Sequence, residues 1–200
     1  MTGDEAGVRV ARREWRWTLA SGCLTLLLAL IAFFLPELEW LPRAGLVGWL
    51  LLLAGIAEFA FGRKRGQDAL GRAAMGSGLI TAVAGLLFLA NPLAGYFPVA
   101  NIVTAWLFLR GAWVLVMAFR IGSPRLGRLV ALSGGTDVML GLALLAHLPI
   151  AMLVVTLFGP TPQVVARFAL LLAASFAVTA ICQIAIALGE RRQSKVAGTR

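Results

Sequence analysis

The sequence predicts an all-α, polytopic membrane protein whose six transmembrane helices form three tandem helical hairpins. Composition is the first reason: 60% of the 200 residues are hydrophobic and 14% charged, with a mean hydropathy of +0.89, too little charge for an ordinary water-soluble surface. A repeat is the second. Arg16-x4-Ser21-Gly22 recurs as Arg72-x4-Ser77-Gly78 and Arg128-x4-Ser133-Gly134, a period of 56 residues (16 to 72 to 128). After each Ser-Gly an apolar run leads to a proline, at Pro36, Pro92 and, one place out of phase, Pro149. A second apolar run follows, with glycines at Gly55 and Gly111. A long fixed period of this kind marks stacked supersecondary units.

In chain order the apolar runs are Trp17 to Leu35, Ala44 to Phe61, Ala73 to Ala90, Phe97 to Phe119, Leu129 to His147 and Val164 to Leu188. Each approaches or exceeds the roughly 20 residues that cross a hydrocarbon core. They lack the alternation of barrel strands, and a bilayer offers no partner for open backbone groups, so they are read as helices. The third unit is enlarged: aligning Glu58 with Gln183 takes an offset of 125 residues (58 to 183) rather than twice the period. The extra residues, Ile150 to Phe158 and then Gly159-Pro160-Thr161-Pro162, extend the fifth helix, lie at the interface or re-enter the bilayer.

Net charge is +9, and its placement reads as topology rather than nucleic-acid binding. Arginines and lysines gather at Arg9 to Arg16, Arg63 to Arg72, Arg120 to Arg128 and Arg191 to Arg200, whereas the opposite loops carry Arg43 beside Glu37 and Glu39. The positive-inside rule then puts both termini in the cytoplasm. Sixteen of the eighteen basic residues are arginine, Lys64 and Lys195 being the lysines, a bias that suits a GC-rich bacterial genome and hence a bacterial inner membrane. The organisation is a cytoplasmic segment (1–15), one membrane domain (16–189, with repeats of approximately 16–71, 72–127 and 128–189) and a basic tail (190–200). No small-residue cleavage site precedes the first turn, so the first span reads as an uncleaved anchor. Implied partners are the lipid bilayer, anionic lipid head groups at the basic face, and a second copy or another membrane protein. Cys23 and Cys182 read as small packing residues.

Residues four apart share a helix face. One such face holds small and polar groups in each odd-numbered span: Ser21, Gly22 and Thr25; Ser77, Gly78, Thr81 and Gly85; Ser133, Gly134, Asp137 and Gly141. Helices in lipid associate through small residues and hydroxyl bonds, so this stripe is read as a helix interface, with a substrate groove as the alternative.

Ionisable groups at bilayer depth are costly and mark where function is sought. Arg110 and Asp137 each lie about 12 to 14 Å in from the basic ends of their helices at roughly 1.5 Å per residue. They are predicted to pair across the fourth and fifth spans, either as an ion pair that fixes the interface or as a proton relay. No further acidic residue is expected at that depth. Glu58 is expected to reach the interface or pair with Arg63 or Arg65, and His147 and Arg167 to snorkel at the outer helix ends. The chain offers no phosphate loop, metal-spaced cluster or nucleophile with a base, and its single histidine argues against zinc or a triad. The expectation is no enzyme, no cofactor and no metal.

Gly85-Leu-Leu-Phe-Leu-Ala-Asn91-Pro92-Leu93-Ala94, then Ala105-Trp106-Leu107, Gly111 and Ala118-Phe119-Arg120, resemble the HdeD-like acid-resistance membrane proteins, as does Gly48-Trp49-Leu50 through Ala54-Gly55-Ile56. The resemblance covers nearly all six spans and implies a six-span protein of acid or envelope-stress tolerance; it supplies no catalytic or binding residue. A structural role, transport of protons or a small solute past Arg110 and Asp137, and an accessory subunit of a membrane complex all remain open at this point.

Overall fold

A computed structural model describes the backbone of residues 3–34, 43–66, 68–90, 99–158 and 162–197, and the side chains of residues 15–34, 45–66, 68–90, 101–146 and 169–192. Among the described residues the chain is all helix: α1 (Gly3–Phe34), α2 (Arg43–Arg65), α3 (Ala69–Ala90), α4 (Val99–Phe119), α5 (Pro124–Phe158) and α6 (Pro162–Ala197). Each contains a stretch long and apolar enough to cross a bilayer, from Trp15–Phe34 in α1 to Ala169–Arg192 in α6. Leu27, Leu53, Leu86, Leu109, Met139 and Ile181 face outward, as a surface solvated by lipid requires.

Local sequence sets the turns at the basic face. Gly66, at φ +116°, ends α2 in the left-handed conformation that glycine adopts without a steric cost, and its N–H donates to the Gly62 carbonyl at 3.3 Å. Asp68 then starts α3 by accepting the Gly71 N–H at 2.7 Å, the N-cap arrangement. Pro124 opens α5, where its missing N–H costs nothing. The predicted turns at Pro36 and Pro92 lie outside the described residues.

One expectation is corrected along the chain. The predicted stop at Pro149 does not occur: α5 runs through it to Phe158, so of the alternatives for Ile150 to Phe158 the structure takes extension of the fifth helix. Proline within a membrane helix is tolerated where neighbouring groups satisfy the freed carbonyl. Upstream of the first span, whose apolar stretch starts at Trp15, α1 begins at Gly3 and continues unbroken into it.

The six helices close into a ring. α2 packs most extensively on α3, α1 on α6 and α4 on α5, while contacts within each repeat, α1 with α2, α3 with α4 and α5 with α6, are sparser. Tight and loose neighbours therefore alternate three times around the ring, and the tight pairs join consecutive repeats. Glycines explain the tight ones. A β-carbon added at Gly22, Gly78 or Gly134 would stand 3.2, 2.5 or 3.0 Å from the backbone N of Ile184, Phe59 or Leu115 respectively. These three glycines are repeat equivalents, and so are the three residues they face. The same close approach built three times is a pseudo-three-fold axis, made possible by residues without side chains.

Around that axis the interior is layered. Away from the basic face lies one apolar cluster that includes Val47, Leu51, Val103, Leu107, Leu172 and Phe176. A smaller cluster of Val114, Ala118, Val130 and Ile186 lies nearer the basic end. Between them sits a buried polar layer.

Candidate functional site

Arg110 projects from the middle of α4 into that layer and is 1% exposed. Its guanidinium gathers groups from three other helices. Nη1 pairs with the Asp137 carboxylate of α5 and donates to Ser175 Oγ of α6 at 3.4 Å. Nη2 donates to Thr179 Oγ1, one turn further along α6, at 3.3 Å, and lies 3.6 Å from Glu58 Oε1 of α2. The carboxylates are themselves held. Ser175 donates to Asp137 Oδ1 at 2.5 Å, and Ser77 of α3 donates to Glu58 Oε1 at 2.9 Å. Ser133 and Thr179 share a further bond at 3.0 Å. Taking such ions out of water costs several kcal/mol apiece, so the cluster is tolerable only because its charges oppose one another and serine and threonine hydroxyls bond to them. Among the described residues, Arg110 Nε and Gln183 Oε1 are buried without a partner.

The cluster is sealed by apolar side chains on one side and borders a cavity on the other. Away from the basic face, Trp106 donates to Thr81 Oγ1 at 3.1 Å, meets Phe176 edge to face at 6.1 Å and presents its ring 5.9 Å from the Arg110 guanidinium carbon. Beyond it the interior is the large apolar cluster. Toward the basic face lies a cavity of about 80 Å³. At roughly 10 to 15 Å³ per water on this measure it has room for several. The cavity runs from Arg110, Glu58 and Ser77 to Thr18 and Arg65 at the basic helix ends.

Repeat-related residues meet around it. Ser21, Ser77 and Ser133 all line the cavity, as do Glu58 with its equivalents Val114 and Gln183, and Thr18 with Ala74 and Val130. The cavity therefore lies on the pseudo-three-fold axis. Where the repeats remain alike they give a ring of serines; where they have diverged they give a charge in one repeat and an uncharged group in the others.

The structure joins Arg110 to Asp137 between α4 and α5, the predicted helices, and adds members to the pair. Glu58 is the main correction. It is buried, at 8% exposure, bonds neither Arg63 nor Arg65, and supplies the second carboxylate that the sequence reading placed nowhere near this depth. The cause is the approach of Gly78 to the α2 backbone at Phe59, which draws α2 inward and aims the adjacent residue at the axis. Arg65 meanwhile pairs with Glu190 at 2.5 Å. Ser175 and Thr179 went unforeseen, although the offset of 125 residues (54 to 179) that aligns Glu58 with Gln183 also aligns Thr179 with Ala54 and hence with Arg110. A serine and a threonine one turn apart in an apolar helix were the available signal.

The small-residue stripe does two jobs. Gly22, Gly78 and Gly134 hold helix to helix, as do Gly85 against Leu52 of α2 and Gly141 against Leu107 and Phe108 of α4, while the serines and Asp137 turn to the axis. Thr25 is half-buried. His147 lies in α5 and Arg167 in α6, with side chains outside those described. Among the described residues no group of His, Cys, Asp and Glu is placed to hold a metal.

Ser175→Ala tests how far the cluster depends on its hydroxyls. The substitution leaves Asp137 Oδ1 without its bond in a buried site, for which a loss of about 1.5 to 3 kcal/mol is expected. The readout is the folded fraction in detergent as SDS is raised, and a loss below about 0.5 kcal/mol would mean that the serine is incidental.

A sequence family described as a short repeat of unknown function (DUF308) matches residues 20–77 and again 76–146. The two matches tile the first two units and enter the third. No curated protein and no solved structure matches the chain.

Proposed function

The chain belongs to the DUF308 short-repeat family, and we propose that within it this is a non-enzymatic, HdeD-like inner-membrane protein of acid or envelope-stress tolerance that exchanges protons between the cytoplasm and its buried carboxylates. One observation carries the reading: two carboxylates, Glu58 and Asp137, surround one guanidinium, Arg110, at the floor of a cavity that reaches the basic helix ends. Counted as ions the set is one negative charge in excess, and an uncompensated charge in a bilayer is met by a proton or a cation. The serine ring and the room for several waters provide a route by which one arrives. The resemblance of the Asn91-Pro92 turn and the helix after it to HdeD-like proteins supports the physiological setting, and the basic helix ends support a cytoplasmic mouth.

The apolar seal beyond Trp106 sets the manner of exchange. Among the described residues Val103, Leu107 and Phe176 are fully buried within the apolar cluster, so protons cross only when the bundle rearranges, at the rate of a carrier rather than a channel. The test is internal pH of proteoliposomes after an external acid step, for wild type, Glu58→Gln, Asp137→Asn and empty vesicles, each variant checked for folding. A protein-dependent flux, lost in a variant that remains folded, is the expected result. Flux no greater than in empty vesicles would overturn autonomous exchange. It would leave the second reading, an ion cluster that fixes helix register, which the glycine-tight ring and the apolar cluster beyond Trp106 favour.

A further inference from the structure

We infer that the ion pair between Arg65 and Glu190 is a latch that closes the mouth of the axial cavity, with Arg65 controlling access to the Arg110 cluster. Its purpose rests on the exchange reading above; its geometry does not. Arg65 is the last residue of α2, and its neighbours Arg63 and Lys64 are exposed, yet its own side chain is 7% exposed and lines the cavity. A guanidinium at the aqueous end of a helix has no need to turn inward, since its long stem lets it reach water. Here it is held inward from three sides. Nη1 donates to Thr18 of α1, Nη2 and Nη1 meet the two carboxylate oxygens of Glu190 at 2.5 and 3.3 Å, and Nε donates to Asp68, the cap of α3, at 3.2 Å.

The position of this bond in the ring is the second observation. α2 and α6 flank α1 and share few contacts of their own, so the forked pair reaches past α1 rather than reinforcing a packed interface. The repeat explains how the charges came to oppose. Arg65, Ile121 and Glu190 are equivalent positions, offset by 56 and 125 residues (65 to 121, 65 to 190), and divergence has put a cation in the first unit and an anion in the third at one level of the axis. Planar, two-point pairing of this kind is directional. It is also replaceable by water if the tight α1 and α6 pair draws away from α2 across the sparser α1 and α2 contact, because Glu190 remains partly exposed at 18%. The level below it is Thr18, Ala74 and Val130, and below that lies the ring of Glu58, Val114 and Gln183. With the latch closed, solution meets Arg65 before it meets any of them.

Cys182 makes the inference measurable, since it lines the cavity below the latch and is a free, buried thiol. The experiment places the full chain in lipid nanodiscs with Cys23→Ser, leaving Cys182 as the one thiol, and follows its reaction with a small anionic methanethiosulfonate. Glu190→Gln and Thr18→Ala each remove one hold on Arg65. Both are expected to speed labelling about tenfold over the parent, equivalent to about 1.4 kcal/mol of closing free energy. Each is checked by size exclusion, and Thr18→Ala, which changes no charge, carries the test if Glu190→Gln fails to fold. Equal rates in parent and folded variants would overturn the latch, as would a parent that labels as fast as denatured protein. Faster labelling together with no proton flux in liposomes would uphold the latch and remove the exchange reading, so the two fail separately.

Discussion

Arg110→Leu is expected to leave little folded protein, while Arg110→Leu combined with Asp137→Asn recovers much of it. Among the described residues Arg110 is the one buried cation of the polar layer, and it faces Asp137 and Glu58 at once. Removing it leaves two carboxylates in a bilayer interior with Ser175 and Ser77 as their remaining donors. Breaking a buried pair by taking one partner costs about 3 to 5 kcal/mol, because the other is left uncompensated. The double variant removes one of the two orphaned charges, so its loss should be smaller than that of Arg110→Leu, a strongly non-additive result. The readout is the folded fraction in detergent as SDS is raised, for the two single variants and the double. Additive losses would show that Arg110 and Asp137 do not act as a unit. The same comparison with Glu58→Gln as the second change asks whether Glu58, the correction to the sequence reading, belongs to that unit.

Gly78→Ala is expected to be nearly as damaging, and Gly135→Ala on the next helical repeat to be harmless or mildly stabilising. A β-carbon at Gly78 would lie 2.5 Å from the backbone N of Phe59 and 2.7 Å from the backbone O of Gly55, atoms of α2 that cannot turn aside as a side chain could. The two helices must separate, and overpacking of this kind costs about 1 to 3 kcal/mol or more. At Gly135 nothing lies within 4 Å, so alanine's better helix propensity, worth about 1 kcal/mol, has no steric opposition. The effect at Gly78 should also reach the site. Phe59 is adjacent to Glu58, and pushing α2 outward lengthens the 3.6 Å approach of Glu58 to Arg110. Proton flux should therefore fall in any Gly78→Ala protein that remains folded, without any titratable group having been touched. Retained stability and flux would mean that the α2 and α3 backbones are less intimate than described.

These outcomes separate two kinds of residue in one stripe. Ser77 and Gly78 are neighbours in every repeat, yet one supplies a hydroxyl to the axis and the other the missing side chain that lets α2 approach. Periodicity places both on α3 and cannot say which way each faces, because that depends on where the neighbouring helix lies. Cys23 and Cys182 make the same point: similar residues in the first and last spans, one exposed and the other buried in the cavity wall.

Taken alone, the sequence determined six apolar helices, three repeats, the enlarged third unit and the common depth of Arg110 and Asp137. Those properties are local: hydropathy over about 20 residues, a fixed period and a count along a helix at about 1.5 Å per residue are readable without a partner. Tertiary structure decided that the tightest contacts join consecutive repeats, that Pro149 does not end α5, that Glu58 turns inward to share Arg110, and that Ser175 and Thr179 complete the cluster. Each of these depends on which backbone a glycine admits and on how a buried guanidinium satisfies its donors. Those choices are made between helices, by close packing and by the cost of an unmatched charge in lipid, and no single helix carries them in its own pattern.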